Sequence, residues 1–177
     1  MHRFFILPIF FLLLSITACA KPDISNVQVK LDSSLSPEKK TLIISAIESW
    51  KNHSKGTFNY TTSSIDNPQA TQDDNVLVII NSSPPVSTEH NFTNLGYTNS
   101  YASKVTGIEG AYMLLEPTMI TDKFMYSIVL HELGHFMFLY HYKGTEPSIM
   151  TATPTVYEIQ KIDVQFFCEV HDCLDSK

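Results

Sequence analysis

The sequence predicts a single α+β domain built on a twisted mixed sheet, and three observations support this prediction. The chain has 177 residues, of which 44% are hydrophobic, and this is enough to bury one core. Strand-like and helix-like segments follow one another in the order strand, helix, several strands and a second helix. The apolar run from Asn75 to Ile80 has the length and continuity of a central strand that is covered on both faces. We therefore expect residues 25 to 177 to form one domain.

The composition excludes several classes of protein. Only 17% of the residues are charged and 11% are aromatic, a mixture that is too apolar for an intrinsically disordered chain. The 18 acidic residues outnumber the 12 basic ones, and no run of Lys or Arg stands out. A protein that binds nucleic acid needs clustered positive charge to neutralise phosphates. We therefore expect no nucleic-acid partner.

The first residues of the chain have the features of an export signal. A short positive segment precedes an apolar stretch from Phe4 to Ile16, which is too short to span a bilayer comfortably as a helix. The four residues that end at Cys19 resemble the bacterial lipobox, in which a cysteine is acylated and becomes the new N-terminus. We expect a lipoprotein signal peptide at 1 to 18, a lipid on Cys19, and a tether that leads into the first strand at 19 to 30.

The expected lipid would determine where the protein resides. A lipid on Cys19 would anchor the exported chain to the bacterial cell envelope, and Ala20 rather than Asp at the next position favours the outer membrane. The alternative is an ordinary signal peptide that is cleaved after Ala18 or Ala20. Both interpretations predict an exported protein.

The first strand and the first helix are marked by local patterns. Apolar and polar residues alternate from 27 to 31, as in a strand with one buried face. Ser36 followed by Pro37 is a typical helix start, because Ser accepts a hydrogen bond from a free N–H and Pro lacks one. We expect this backing helix to occupy residues 37 to 52, with a buried stripe formed by Ile43, Ile47 and Trp50.

The middle of the chain contains further strands and a second helix. We expect strands from Phe58 to Thr62, from Leu95 to Tyr101 and from Ile108 to Leu115, besides the central apolar run. Thr121-Asp122 has the residue types of a helix N-cap. The second helix is therefore placed at 122 to 138.

This second helix carries the sequence His131-Glu132-Leu133-Gly134-His135. Each helical residue advances by about 100°, so the two histidines lie one turn apart on one face and can bind one metal ion. Glu132 lies beside them, where its carboxylate can reach a water molecule on that metal. Zinc lowers the pKa of such a water toward about 7, and the carboxylate can take the proton and pass it to a leaving amine. The pattern is typical of zinc peptidases.

A third histidine, His141, follows six residues after His135, and Ser148-Ile149-Met150 lies further downstream. These residues resemble the metzincin family of zinc peptidases, in which a third histidine completes the zinc site and a methionine turn lies beneath it. Leu95 to Thr98 and Gly107 to Pro117 are similar to segments of the matrixin-type branch. The resemblance implies a zincin fold, with the ligands His131, His135 and His141, a supporting Met150, and a C-terminal helix at Tyr157 to Asp163.

One residue departs from the family's pattern. Metzincins usually carry glycine three residues after the second histidine, where this chain has Phe138. A helix that continued for six residues would rotate by about 600° and point His141 away from the metal, so the helix has to break. Either Phe138 adopts a left-handed conformation, at a cost of about 1–2 kcal/mol, or Leu139 and Tyr140 make the bend. The third alternative is a gluzincin-like site, in which Glu158 replaces His141 as a ligand.

The resemblance implies a zinc-dependent endopeptidase that acts outside the cytoplasm, with one catalytic zinc ion and Glu132 as the general base. It also implies that a protein or peptide substrate lies extended along an edge strand, which we place at Leu95 to Tyr101. We expect a monomer. The rival from another class is a non-catalytic lipoprotein that keeps the metzincin shell as a binding module. Retention of Glu132 argues against that rival, because a structural zinc has no use for the carboxylate.

The two remaining cysteines, Cys168 and Cys173, lie close together near the C-terminus of an exported chain. We expect them to form a disulfide, because exported proteins mature in oxidising compartments. A small metal site that includes His171 is an alternative, but a structural zinc needs four ligands and no fourth is evident nearby. Free thiols are the remaining alternative.

Overall fold

In the part of the chain that the computed structural model describes, three helices pack with a five-stranded sheet. The structure describes residues 23–70, 73, 75–85, 95–103, 107–119, 121–153 and 155–173. The strands are β1 (Val27–Asp32), β2 (Tyr60–Ile65), β3 (Val76–Asn81), β4 (Gly96–Ser103) and β5 (Gly107–Leu115). The helices are α1 (Pro37–His53), α2 (Lys123–Phe136) and α3 (Lys161–His171). The expected signal peptide and Cys19 lie outside the described residues.

The sheet is mixed, and its one antiparallel pair lies at an edge. The strand order is β2-β1-β3-β5-β4. Strand β1 is parallel to β2 and to β3, and β3 is parallel to β5. Strand β4 runs antiparallel to β5, with Thr98 opposite Met113. The prediction of a mixed sheet is therefore confirmed, the described elements are compatible with the predicted α+β class, and β4 is an edge strand of this sheet.

The core lies between the sheet and the helices, and within it Trp50 of α1 contacts both α2 and α3. The indole is fully buried, and its Nε1–H donates a hydrogen bond of 2.9 Å to the backbone oxygen of Leu130 in α2. Its ring centroid lies 5.9 Å from that of Phe167 in α3. Residues Val76 to Ile79 of β3 are all buried, as the sequence predicts for a central strand. One aromatic side chain thus fixes α1 against both other helices.

The first two helices begin where their capping residues predict. The hydroxyl of Ser36 accepts a hydrogen bond from Lys39 N–H at 3.3 Å, and Pro37 occupies the first turn. The carboxylate of Asp122 accepts hydrogen bonds from the N–H groups of Phe124 and Met125, at 2.9 and 3.0 Å. Helix α2 ends at Phe136, two residues earlier than the predicted 138. Among the described residues, no helix has the length and apolar character needed to cross a membrane.

The predicted position of the last helix is wrong. The sequence pattern predicts a helix at Tyr157 to Asp163, whereas α3 begins at Lys161 and continues to His171. The reason is a capping box: the Asp163 carboxylate accepts a hydrogen bond of 2.8 Å from Gln160 N–H and thereby fixes Gln160 as the N-cap. The three residues before Gln160 therefore precede the helix.

The predicted start of β2 is also too early by two residues. The N–H of Phe58 does not join the sheet, because it donates to the hydroxyl of Ser54 at 3.2 Å, just after α1. Pairing with β1 begins at Tyr60, which lies opposite Val27. The side chain of Phe58 fills the core instead and is only 2% exposed.

Candidate metal centre

Three histidine side chains converge at the surface of α2 that faces β4. His131 and His135 lie one helical turn apart, and their ring centroids are separated by 4.5 Å. The Nε2 atom of His141 lies 3.2 Å from that of His135 and 3.3 Å from that of His131. Two nitrogens bound to one tetrahedral zinc at about 2.0–2.1 Å stand roughly 3.3–3.4 Å apart. The spacing of the three nitrogens therefore fits a single metal ion, and these residues could bind one.

The other ring nitrogens of two of these histidines are fixed by backbone carbonyls. Nδ1 of His131 lies 2.8 Å from the oxygen of Ile149, and Nδ1 of His135 lies 2.8 Å from the oxygen of Leu139. A carbonyl oxygen can only accept, so both Nδ1 atoms carry the proton. The lone pairs of their Nε2 atoms are then directed toward the position where a metal ion could bind. Such outer hydrogen bonds orient histidines that bind metals.

The electrostatic surroundings keep the three imidazoles neutral. Burial, followed by the neighbouring His135, lowers the pKa of His131 to about 4. Burial is also the main cause that lowers the pKa of His135 and the pKa of His141 below the ordinary value. A neutral imidazole is the form that binds a metal. The site is therefore ready for a cation near neutral pH without first losing protons.

Phe138 makes the turn that brings His141 to the other two histidines. Its φ is 62°, in the left-handed region, so the first of the three alternatives from the sequence is the one that the structure adopts. The N–H of Leu139 donates to Gly134 and the N–H of Phe138 donates to His135, both at 2.9 Å. These two bonds form a Schellman motif, with Phe138 at the position that usually belongs to glycine. The side chain at this φ costs about 1–2 kcal/mol.

Met150 packs directly beneath α2. Its side chain is fully buried, and a Cβ added to Gly134 would overlap its sulfur. The backbone oxygen of Met150 accepts a hydrogen bond of 2.7 Å from the N–H of Tyr142, one residue after His141. The glycine in the last turn of α2 is therefore required for this close contact. Met150 therefore joins the last turn of α2 to the segment that follows His141.

Asp163 is a residue that the sequence analysis did not assign to the site. Its carboxylate is 1% exposed and accepts hydrogen bonds from the hydroxyl of Ser148 and, at 3.0 Å, from Ile149 N–H. The oxygen of the same Ile149 accepts the proton of His131 Nδ1. The buried carboxylate thus holds the turn that orients His131. The capping pattern of Gln160 with Asp163 was a signal in the sequence for the helix start, but not for this contact.

Glu132 lies beside the histidines and is buried. It is 7% exposed, and its Oε2 has no hydrogen-bond partner among the described residues. Burial raises the pKa of Glu132 to about 7, against the lowering effect of the neighbouring Thr98. A Cβ added to Gly96 of β4 would stand 2.8 Å from Cγ of Glu132. Gly96 therefore allows β4 to pack directly against this carboxylate.

A cavity of about 910 Å³ opens in front of these residues. Edge strand β4 contributes Gly96 and Thr98 to its wall, and α2 contributes Phe124 and Ile128. Glu132 is the one carboxylate among the described residues that line it. The cavity therefore places a strand edge, apolar side chains, three histidines and a single acid in contact with the same volume.

The other predicted residues lie outside this cluster. Glu158 is exposed and does not belong to the group of side chains that could bind a metal. Cys168 and Cys173 form a disulfide, which leaves neither sulfur as a thiolate ligand for a small metal site. Cys19 is outside the described residues. The geometry therefore joins His131, Glu132, His135 and His141.

No protein-family model matches this chain, and a search of curated proteins found no match to its sequence. The features of this chain that bear on its function are three histidines and one buried carboxylate around a shared cavity.

Proposed function

We propose that the chain is a zinc-dependent endopeptidase of the metzincin type, close to the matrixin branch. The observation that carries the proposal is the convergence of three histidine Nε2 atoms, 3.2 and 3.3 Å apart in two of the pairs, beside a buried carboxylate. Three protein nitrogens with a fourth position open to the cavity are the arrangement typical of a catalytic zinc. A structural zinc would instead be closed by a fourth protein ligand.

The mechanism assigns distinct tasks to the residues of the site. A bound zinc ion would polarise the scissile carbonyl and make water acidic enough to lose a proton near neutral pH. Glu132 would accept that proton as general base while the water attacks, and would then transfer it to the leaving amine. His131 and His135 donate hydrogen bonds from Nδ1–H to the backbone oxygens of Ile149 and Leu139, and these bonds hold their rings in place. The left-handed turn at Phe138 ends α2 and brings Nε2 of His141 beside the other two nitrogens.

The position of β4 supports an extended substrate. Leu95 and the first residues of the strand, Gly96 to Thr98, line the cavity beside Glu132, and the strand has β5 as its neighbour on one side in the described sheet. A substrate strand that pairs with the other side would pass in front of the histidines. Strand addition of this kind satisfies the peptide backbone and is tolerant of sequence. We place the substrate, a protein or peptide, along this edge.

The cellular setting of the proposal comes from the N-terminal sequence. A signal peptide at 1 to 18 and a lipid on Cys19 would place the enzyme outside the cytoplasm, on the bacterial envelope and in the outer membrane. The first strand of the domain, β1, begins at Val27, eight residues after that cysteine in the sequence. The short tether would keep a monomeric catalytic domain close to the membrane surface, with substrates among extracytoplasmic proteins.

Removal of the metal tests the proposal. The purified full-length chain in detergent is expected to cleave an unfolded protein such as casein, to lose that cleavage after dialysis against a zinc chelator, and to regain it with one equivalent of zinc. The control is an equal addition of magnesium, which prefers oxygen ligands and is expected to restore nothing. Cleavage that persists in the metal-free chain would contradict the proposal. A zinc-loaded chain that cleaves nothing would favour the non-catalytic binding module.

A further inference from the structure

The turn at Phe138 is unfavourable by itself, and yet the metal site depends on it. A left-handed residue that carries a side chain is disfavoured by roughly tenfold relative to glycine. If α2 continued past Met137 instead, the N–H of His141 would donate to the oxygen of Met137, four residues earlier. His141 would then point away from the other two histidines. A contact that favours the ended helix would therefore favour the complete metal site.

His171 makes such a contact. Its Nε2 lies 2.8 Å from the backbone oxygen of Met137, within hydrogen-bond distance in a buried setting. Met137 is the C-cap of α2, and the last carbonyls of a helix have no partner within the helix. The imidazole thus supplies a hydrogen-bond donor to the oxygen that would accept from the N–H of His141 in a longer helix. The contact lies immediately before the left-handed residue.

The position of His171 is itself fixed. The side chain is 8% exposed and lies at the last position of α3, with its ring centroid 4.6 Å from that of Phe167. Phe167 is fully buried against Trp50. The disulfide between Cys168 and Cys173 closes the chain on both sides of His171. The imidazole is therefore held in place before any metal binds.

We propose that His171 is a positioning residue for the metal centre: its hydrogen bond to Met137 holds the turn at Phe138 and so keeps His141 beside the other two ligands. The inference rests on the proposed function, because it takes His141 as a ligand. It predicts that the zinc affinity of the chain depends on a residue that does not touch the metal. It also predicts that the zinc affinity no longer depends on His171 when glycine replaces Phe138 at the turn.

The test measures the zinc dissociation constant of the full-length chain by competition with a chromophoric chelator. His171→Phe keeps an aromatic ring on Phe167 but has no donor, and it is expected to raise the dissociation constant about tenfold. His171→Gln keeps a donor at the equivalent distance from the backbone and is expected to remain within about threefold of the unaltered chain. The exposed His53, altered to Phe, is the matched control and is expected to change nothing.

The decisive variant combines two changes. In a chain that carries Phe138→Gly, the further change His171→Phe is expected to alter the zinc dissociation constant by less than about threefold, because glycine enters the turn without help. Equal weakening by His171→Phe in both backgrounds would show a merely structural effect and overturn the proposal. So would an unchanged affinity in the single variant. An unaltered chain that binds no zinc would overturn the proposed function as well as this inference, whereas the two preceding outcomes would overturn this inference alone.

Discussion

Replacement of Glu132 by glutamine is expected to reduce peptide cleavage by about 10²–10⁴-fold while one zinc per chain stays bound. The amide has nearly the same shape as the carboxylate but cannot accept the proton of the attacking water. Glu132 is the one carboxylate among the described residues that line the cavity, so no other acid there can replace it. The measurement is the cleavage rate of an unfolded protein, with the zinc content determined on the same sample.

The matched control for this variant is Glu158→Gln. Glu158 is exposed and lies outside the histidine cluster, so its amide variant is expected to keep both cleavage and zinc. Loss of zinc in Glu158→Gln would instead support the gluzincin-like site in which this carboxylate is a ligand. A Glu132→Gln variant with full activity would contradict its role as general base.

Replacement of Trp50 by alanine is expected to lower the free energy of unfolding by about 3–5 kcal/mol. The change removes a fully buried indole that contacts both other helices, and it leaves the oxygen of Leu130 without this donor. Chemical denaturation followed by circular dichroism measures the effect. Tryptophan fluorescence cannot serve for the comparison, because Trp50 is the only tryptophan of the chain.

Trp50→Phe separates the packing from the hydrogen bond. The smaller ring keeps most of the contact with Phe167 but has no N–H for Leu130, so a loss of about 1–3 kcal/mol is expected. A loss below about 1 kcal/mol in Trp50→Ala would mean that the helices are not joined through this residue. The stability of α2, and with it the geometry of the histidines, would then have another source.

The local signals in the sequence were sufficient for the parts of the fold that depend on neighbouring residues. Ser36 with Pro37 and Asp122 mark helix starts because capping is a contact within one turn. The spacing of His131 and His135 predicts a shared face because helix geometry is regular. The central strand at β3 is recognisable because every residue from Val76 to Ile79 is apolar.

Other features depend on contacts between distant residues and were not predictable in the same way. The hydrogen bond from Gln160 N–H to Asp163 is local and marks the start of α3, whereas the contact of Asp163 with Ile149 exists only in the folded chain. The turn at Phe138 lacked the usual glycine, so the sequence left three alternatives open. The contact between His171 and Met137, 34 residues apart, has no local signal at all.

The most direct test of the account is the zinc content of the purified full-length chain beside His141→Ala. The account predicts one zinc per unaltered chain and, in the variant, a dissociation constant raised by at least about 100-fold, because loss of a ligand costs more than loss of a residue that orients one. His53→Ala, at an exposed histidine, serves as the control and is expected to keep its zinc. Zinc that stays equally tight in His141→Ala, or an unaltered chain without zinc, would contradict the three-histidine site on which the proposed function depends.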